Sequence, residues 1–317
     1  MFCVGDLIPY YLEMKTYLDC IPCFFSQALE ASRISGADVK VQKKVLNELA
    51  KELPNLSLTS SPPEMGRIIY GLVRKITRRR DPYSEIKKKS NKLALSIYGR
   101  LKKRVSSSPD RLLTAVELAV SGNIIDYGVK NSLDVHSEIT KILNEENKTI
   151  KREKKAVFDY SKFKSELKKS DTILYLADNA GEVVFDRILI EEIKRIYKDK
   201  EVVYAVKGKP IINDALYADA RFCGIDRSAE IISSGLDSPG TVLKLCSKAF
   251  LSIYNKADMV ISKGQGNFEA LSNAKRLVFF LFMAKCPVIA RHIGCKVGDV
   301  ILASTEHMET MTTEIKG

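Results

Sequence analysis

Four short apolar runs in the second half of the chain each end on polar residues that could do chemistry. After the run at 172–177 come Asp178, Asn179, Ala180, Gly181 and Glu182. After 201–206 come Lys207, Gly208, Lys209 and Pro210, with Asn213 and Asp214 close behind. The run at 259–262 leads into Lys263, Gly264, Gln265, Gly266 and Asn267, and the run at 277–282 is followed by Lys285. Asp178, Asn179 and Asp214 carry hard oxygen atoms of the kind that Mg²⁺ or Mn²⁺ prefers. Lys263 and Lys285 are point charges suited to phosphate oxygens. Backbone N–H groups in the 264–266 stretch can face an anion, as can a helix that starts after Gly181.

The elements that position these residues follow from periodicity. The apolar runs at 172–177, 201–206, 230–233, 259–262 and 277–282 are short and continuous, as strands covered on both faces should be. Helical spacing separates them at 183–197, 212–223 and 241–254. Alternating strands and helices predict an α/β fold with a mainly parallel sheet between two helical layers. In such a sheet ligands bind beyond the carboxyl ends of the strands, which is where the polar clusters fall. The first half reads differently: helices are expected at 20–34, 39–53, 62–77, 83–105 and 109–127, with no alternating strand. Ser61 and Ser108 stand where helices would be entered. The charged, apolar-poor 148–155 stretch is taken as the boundary between a helical unit, 1–155, and a catalytic unit, 156–317. Residues 1–13 fit neither pattern and are read as an extension.

Every polar cluster also has a plainer reading. Asp178 and Asn179 could cap the following helix, and Asn213 and Asp214 could cap another. The 263–266 stretch lacks the Gly-Lys-Ser/Thr ending of a Walker loop, and no Gly-x-Gly-x-x-Gly follows the first strand. The functional reading rests on recurrence after successive strands and on no single member.

Composition narrows the classes. At 317 residues the chain is long enough for a substantial core. Its longest apolar run, 277–284, is too short for a bilayer, so no membrane partner is expected. Seven scattered cysteines do not make a secreted disulfide framework, and a reducing cytoplasm is expected. The net charge of +12 attracts polyanions, but the runs at 78–80, 87–89, 102–104 and 151–155 carry little aromatic interleaving. They are read as solvated helix faces, and nucleic acid is not the expected partner.

The segments DNAGE (178–182), KGKPIINDA (207–215), ADMVISKGQGNFE (257–269) and MAKCPVIA (283–290) resemble the damage-control phosphatase family, formerly catalogued as domain of unknown function 89. DCIPCFFSQAL (19–29), DPYSEIK (81–87) and SGNIIDYG (121–128) are similar to its prokaryotic Cys-x-x-Cys branch. The resemblance implies a helical N-terminal region followed by a Rossmann-like α/β/α domain. It implies divalent-metal-dependent hydrolysis of small phosphorylated metabolites, with nucleotides, sugar phosphates and phosphopantetheine-like compounds all open. It implies Asp178, Asn179 and Asp214 as metal ligands, for Mg²⁺, Mn²⁺, Co²⁺ or Ni²⁺, and Lys285 as a phosphate contact. The 264–267 loop would shape the substrate site, and Asn123 with Asp126 would approach it from the helical part. Two nucleophiles stay open, a water held by the metal and Asp178 itself, and Glu182 is a candidate to orient a water or substrate hydroxyl.

Cys20, Cys23 and Cys286 form a candidate soft-metal or redox set, against the plainer reading of structural thiols. A zinc ribbon would need a second Cys-x-x-Cys pair. His136, His292 and His307 show no ligand spacing. Two other functions compete. An S-adenosylmethionine-dependent methyltransferase would want a glycine-rich first loop and an acidic residue where Lys207 stands. A basic nucleic-acid or regulatory binding module would not need Asp178 at all.

Overall fold

A computed structural model describes residues 14–122 and 155–308. The first half is helical: α1 Cys20–Ile34, α2 Val39–Glu52, α3 Pro62–Thr77, α4 Ser84–Ser107 and α5 Arg111–Ser121. These helices start where the sequence supplies caps. The Asp38 carboxylate accepts from Val41 N–H, the Asp110 carboxylate accepts from Leu113 N–H, and Glu64 reaches back to Ser61 N–H at 2.9 Å.

The second half carries seven strands: β1 Lys155–Phe158, β2 Thr172–Leu176, β3 Glu201–Val206, β4 Glu230–Ser233, β5 Met259–Lys263, β6 Val278–Met283 and β7 Val300–Ser304. Their order is β1-β7-β6-β5-β2-β3-β4. Every pairing is parallel except that of β6 with β7. The helices between them are α6 Tyr160–Lys169, α7 Glu182–Ile196, α8 Tyr217–Phe222, α9 Lys248–Lys256, α10 Gln265–Leu271 and α11 Pro287–Ile293.

Strand alternation sends side chains to two separate cores. Ile173, Tyr175, Phe279 and Leu281 pack with α4, α5, α6 and α7 on one face. Leu174, Leu176, Phe280 and Phe282 pack with α9, α10 and α11 on the other. Phe268 of α10 joins that second core, stacked on Phe282 and edge-on to Phe280. A third core lies among α1, α2 and α3, and it takes in Ile211 from the loop after β3. So the helical half does not stand apart. Its α4 and α5 share one core with the sheet, and α3 holds the β3 loop, where Arg74 donates to the Pro210 carbonyl at 2.8 Å.

Several expectations need correction. β1 and β7 went unpredicted, being four and five residues long with no surviving alternation. The helix expected at 212–223 shrinks to α8, because Ile212 turns through φ 41° and residues 213–216 bond to neighbouring loops instead. The helix expected at 241–254 divides into a short 3₁₀ turn, Leu243–Leu245, and α9, whose start is capped by Ser247. Within the run at 87–89, Lys87 is not solvated: it is buried and pairs with Asp81 at 2.7 Å.

Candidate active site

Two loops meet at the carboxyl edge of the sheet. Ala215 N–H donates to the Asp178 carbonyl at 2.8 Å, and Ala180 N–H donates to the Asn213 carbonyl at 2.9 Å. These bonds make an isolated antiparallel bridge between Asn179 and Asp214. Residues 35 positions apart are thereby locked side by side, one loop following β2 and the other β3. Neither loop uses its polar residues as caps. Gly181 is the residue that precedes α7, and Leu216 is the one that precedes α8. Asp178, Asn179, Asn213 and Asp214 therefore do not occupy the N-cap positions of these helices.

The third contribution comes from the turn after β5. Gly264 sits at φ 84°, open only to glycine, and the Asp178 carboxylate lies against its Cα. A Cβ there would fall 2.0 Å from Asp178 Oδ2. Gly264 therefore does two things: it turns the chain from β5 into α10, and it leaves the space the Asp178 carboxylate fills.

Asn179 is oriented by its neighbours. Its Nδ2 donates to Asp178 Oδ2 and to Glu182 Oε1, both at 2.9 Å. With both amide hydrogens directed at carboxylates, the side-chain carbonyl oxygen is the atom left to serve a cation. Glu182 is fully buried, and its Oε2 accepts from Lys263 Nζ at 3.1 Å. Lys263 also donates to Asp186 Oδ1 at 2.8 Å, and Asp186 accepts from the hydroxyls of Tyr175 and Tyr204. Burial alone would discharge Lys263, but Asp186 and Glu182 outweigh it and hold the ammonium above its ordinary value. Burial, with Asp186 beside them, also pushes Tyr175 and Tyr204 well up, so both remain hydrogen-bond donors.

Other expected site residues occupy different positions. Lys263 points away from the mouth of the site, into this buried network. Asn267 is buried too, and its Nδ2 donates to the carbonyls of Ala177 and Lys263. Its Oδ1 accepts from Thr241 N–H at 2.8 Å and from the Thr241 hydroxyl at 2.7 Å, so it ties β2, β5 and the 238–241 loop together. Gln265 accepts from Lys285 N–H at 2.9 Å and donates to Glu269 at 2.8 Å, linking the turns after β5 and β6. Gly266 lies against Pro239 and Gly240, where a Cβ would come within 3.0 Å of the Pro239 carbonyl oxygen. Asn123 and Asp126 lie outside the described residues.

The sequence alone assigns Lys207 no part in the site. It is buried, with Nζ 3.5 Å from Asp214 Oδ2 and 3.2 Å from the Pro239 carbonyl. Its place immediately after β3 was the available signal. Asn91, Asp186, Tyr175 and Tyr204 gave none, since their relevance is made by packing.

Cys20 and Cys23 open α1, and Cys286 stands just before α11. Burial raises all three thiols, Cys20 to about 11, and all three lie within electrostatic reach of Glu269. Among the described residues no three His, Cys, Asp or Glu side chains gather in a cluster that could hold a metal. The set at Asp178, Asn179 and Asp214 is of another kind: two carboxylates and an amide oxygen, the sparse hard-oxygen set that suits a cation shared with substrate.

The chain matches the model of the damage-control phosphatase ARMT1-like domain over residues 16–301. It is 35% identical over 292 residues to a damage-control phosphatase of Pyrococcus horikoshii, covering 91% of this chain and 97% of that one. The crystal structure of a DUF89-family protein from the same organism superposes with a TM-score of 0.80 at 34% identity, over 92% of this chain and 100% of that one. A damage-control phosphatase of Archaeoglobus fulgidus is 31% identical over 296 residues, with 92% and 100% covered. A mouse 4'-phosphopantetheine phosphatase is 27% identical over 186 residues, which is 53% of this chain and 23% of the mouse protein. The chain thus belongs to the damage-control phosphatase family, the former DUF89 proteins.

Proposed function

We propose that this phosphatase is divalent-metal-dependent and acts on small phosphorylated metabolites at the edge where β2, β3 and β5 end. The observation that carries the reading is the Asn179–Asp214 bridge, which sets Asp178, Asn179 and Asp214 together beside the Gly264 turn. Asp178, Asn179 and Asp214 would hold the cation, Mg²⁺, Mn²⁺, Co²⁺ or Ni²⁺. Such an ion supplies concentrated positive charge next to a phosphoryl oxygen.

The protein's own groups do the rest. Lys285, following β6, adds charge where the phosphoryl group develops it. The Gly264–Gly266 backbone lines the same edge and restricts the bulk that can enter. Lys207, beside Asp214, holds that carboxylate in place. Glu182 and Lys263 act through Asn179 by fixing which way its amide faces. The likeness to the mouse 4'-phosphopantetheine phosphatase favours a phosphopantetheine-like substrate among the candidates.

The test is phosphate release from an aryl phosphate by metal-stripped protein, with each divalent ion restored in turn. Asp178→Asn and Asp214→Asn should each abolish metal-dependent turnover while circular dichroism is unchanged. Turnover that needs no metal, or that survives both substitutions, would overturn the assignment.

A further inference from the structure

One side chain of the helical half bonds directly to the β2 loop of the candidate metal site and, through Asp219 on α8, to the end of the β3 loop. Asn91 lies on α4, far in sequence from either loop, and is buried. Its Oδ1 accepts from Gly181 N–H at 2.7 Å, two residues past Asn179. Its Nδ2 donates to Asp219 Oδ1 at 2.8 Å. The other oxygen of Asp219 accepts from Leu216 N–H at 3.0 Å, two residues past Asp214.

The chemistry of the partners fixes the orientation of the Asn91 amide. A backbone N–H only donates and a carboxylate only accepts, so the carbonyl must face Gly181 and the amino group must face Asp219. No other side chain of this length offers both. Aspartate would set a second carboxylate against Asp219, leucine would strand two buried polar groups, and glutamine is a methylene too long.

We infer that Asn91 is a positioning residue for the metal site: a clasp from α4 that holds the β2 loop and the β3 loop at the separation their shared ligand set requires. The inference rests on the metal reading above and adds that the helical half sets the site's affinity. Hydrogen bonds one step behind metal ligands typically change affinity by about 10- to 100-fold when removed. Asn91 acts through backbone at a further step, so the lower end of that range is expected.

The experiment is calorimetric titration of metal-stripped protein with Mn²⁺, read beside thermal unfolding of the metal-free form. Asn91→Asp and Asp219→Asn should each weaken Mn²⁺ binding by about tenfold. The double variant, Asn91→Asp with Asp219→Asn, reverses the polarity of the bond. Its new aspartate can accept from Gly181 N–H and from the new amide, and the new amide oxygen can accept from Leu216 N–H. Affinity should return in it. Single variants that bind Mn²⁺ like the parent, or that lose only thermal stability, would overturn the inference while leaving the metal reading standing. A double variant as weak as the singles would also overturn it. A folded parent protein that binds no divalent ion defeats the metal reading and this inference together.

Discussion

Replacing Gly264 with alanine should disable the site from a position that contributes no side chain to it. At φ 84° and ψ 155° the backbone lies in a region that only glycine occupies comfortably, so alanine costs about 1–3 kcal/mol of stability from strain alone. The added Cβ would stand 2.0 Å from Asp178 Oδ2, 2.2 Å from its Cγ and 2.6 Å from Oδ1. Ordinary contact begins near 3.4 Å, so the carboxylate must retreat by more than about 1 Å. That retreat breaks its bond from Asn179 and removes a proposed ligand. A displacement of this size at a reacting centre costs about a hundredfold. The assay compares kcat/KM for an aryl phosphate and the Mn²⁺ dissociation constant in Gly264→Ala with those in Gly99→Ala. Gly99 lies within α4 with nothing within 4 Å of its Cβ position, so its alanine variant should match the parent in activity. A folded Gly264→Ala protein with near-parental kcat/KM and metal affinity would refute the placement of Asp178.

Two further outcomes are expected. Lys263→Met strands the carboxylates of Glu182 and Asp186 in a site with no solvent exposure, and breaking such a buried pair costs about 3–5 kcal/mol. Adding Asp186→Asn should recover part of that in urea unfolding, and no recovery would mean the network is not held by charge balance. Glu269 has its carboxyl pushed up to about 7 by burial, from the ordinary 4.5. An acid raised on folding contributes stability below pH 4.5 that is lost as pH rises to about 7. Glu269→Gln keeps the acceptor for Gln265 and should therefore gain up to about 3 kcal/mol over the parent at pH 8 and little at pH 4.5. An equal difference at both values in urea melts would contradict the burial argument.

Local pattern was sufficient for β2 to β6 and for the helices of the first half, because apolar period and capping residues act over one or two turns. The strands Glu201–Val206 and Glu230–Ser233, and the helices Cys20–Ile34 and Pro62–Thr77, run between the residues that periodicity marks. The residues at the sheet edge were legible for a related reason. In a parallel sheet the loops after successive strands open at the same edge, so residues of those loops, Asp178, Asp214, Gly264 and Lys285 among them, gather there. Local pattern could not separate a cap from a ligand. Asp178 and Asn179 have the composition of an N-cap, and only the bridge to Asp214, closed by the Ala215 and Ala180 hydrogen bonds, removes them from that role.

Nor could it distinguish a lysine that meets solvent from one that supports the site. Lys263 ends β5 and Lys285 follows β6, yet Lys263 is drawn inward because Glu182 and Asp186 one helical turn apart on α7 present two carboxylates to it. Asn267 reads as a loop residue open to substrate, but its amide is used up by three backbone groups and a hydroxyl. The short strand Val300–Ser304 exists because β6 offers an edge to pair with, and Lys155–Phe158 because β7 then offers the next one, facts about neighbours and not about their own residues. Residue order along the chain is enough to set which residues reach the edge of the sheet. The tertiary structure decided which of them turn outward and which turn in, because that choice depends on partners far along the chain, Asn91 on α4 and Asp186 on α7 among them.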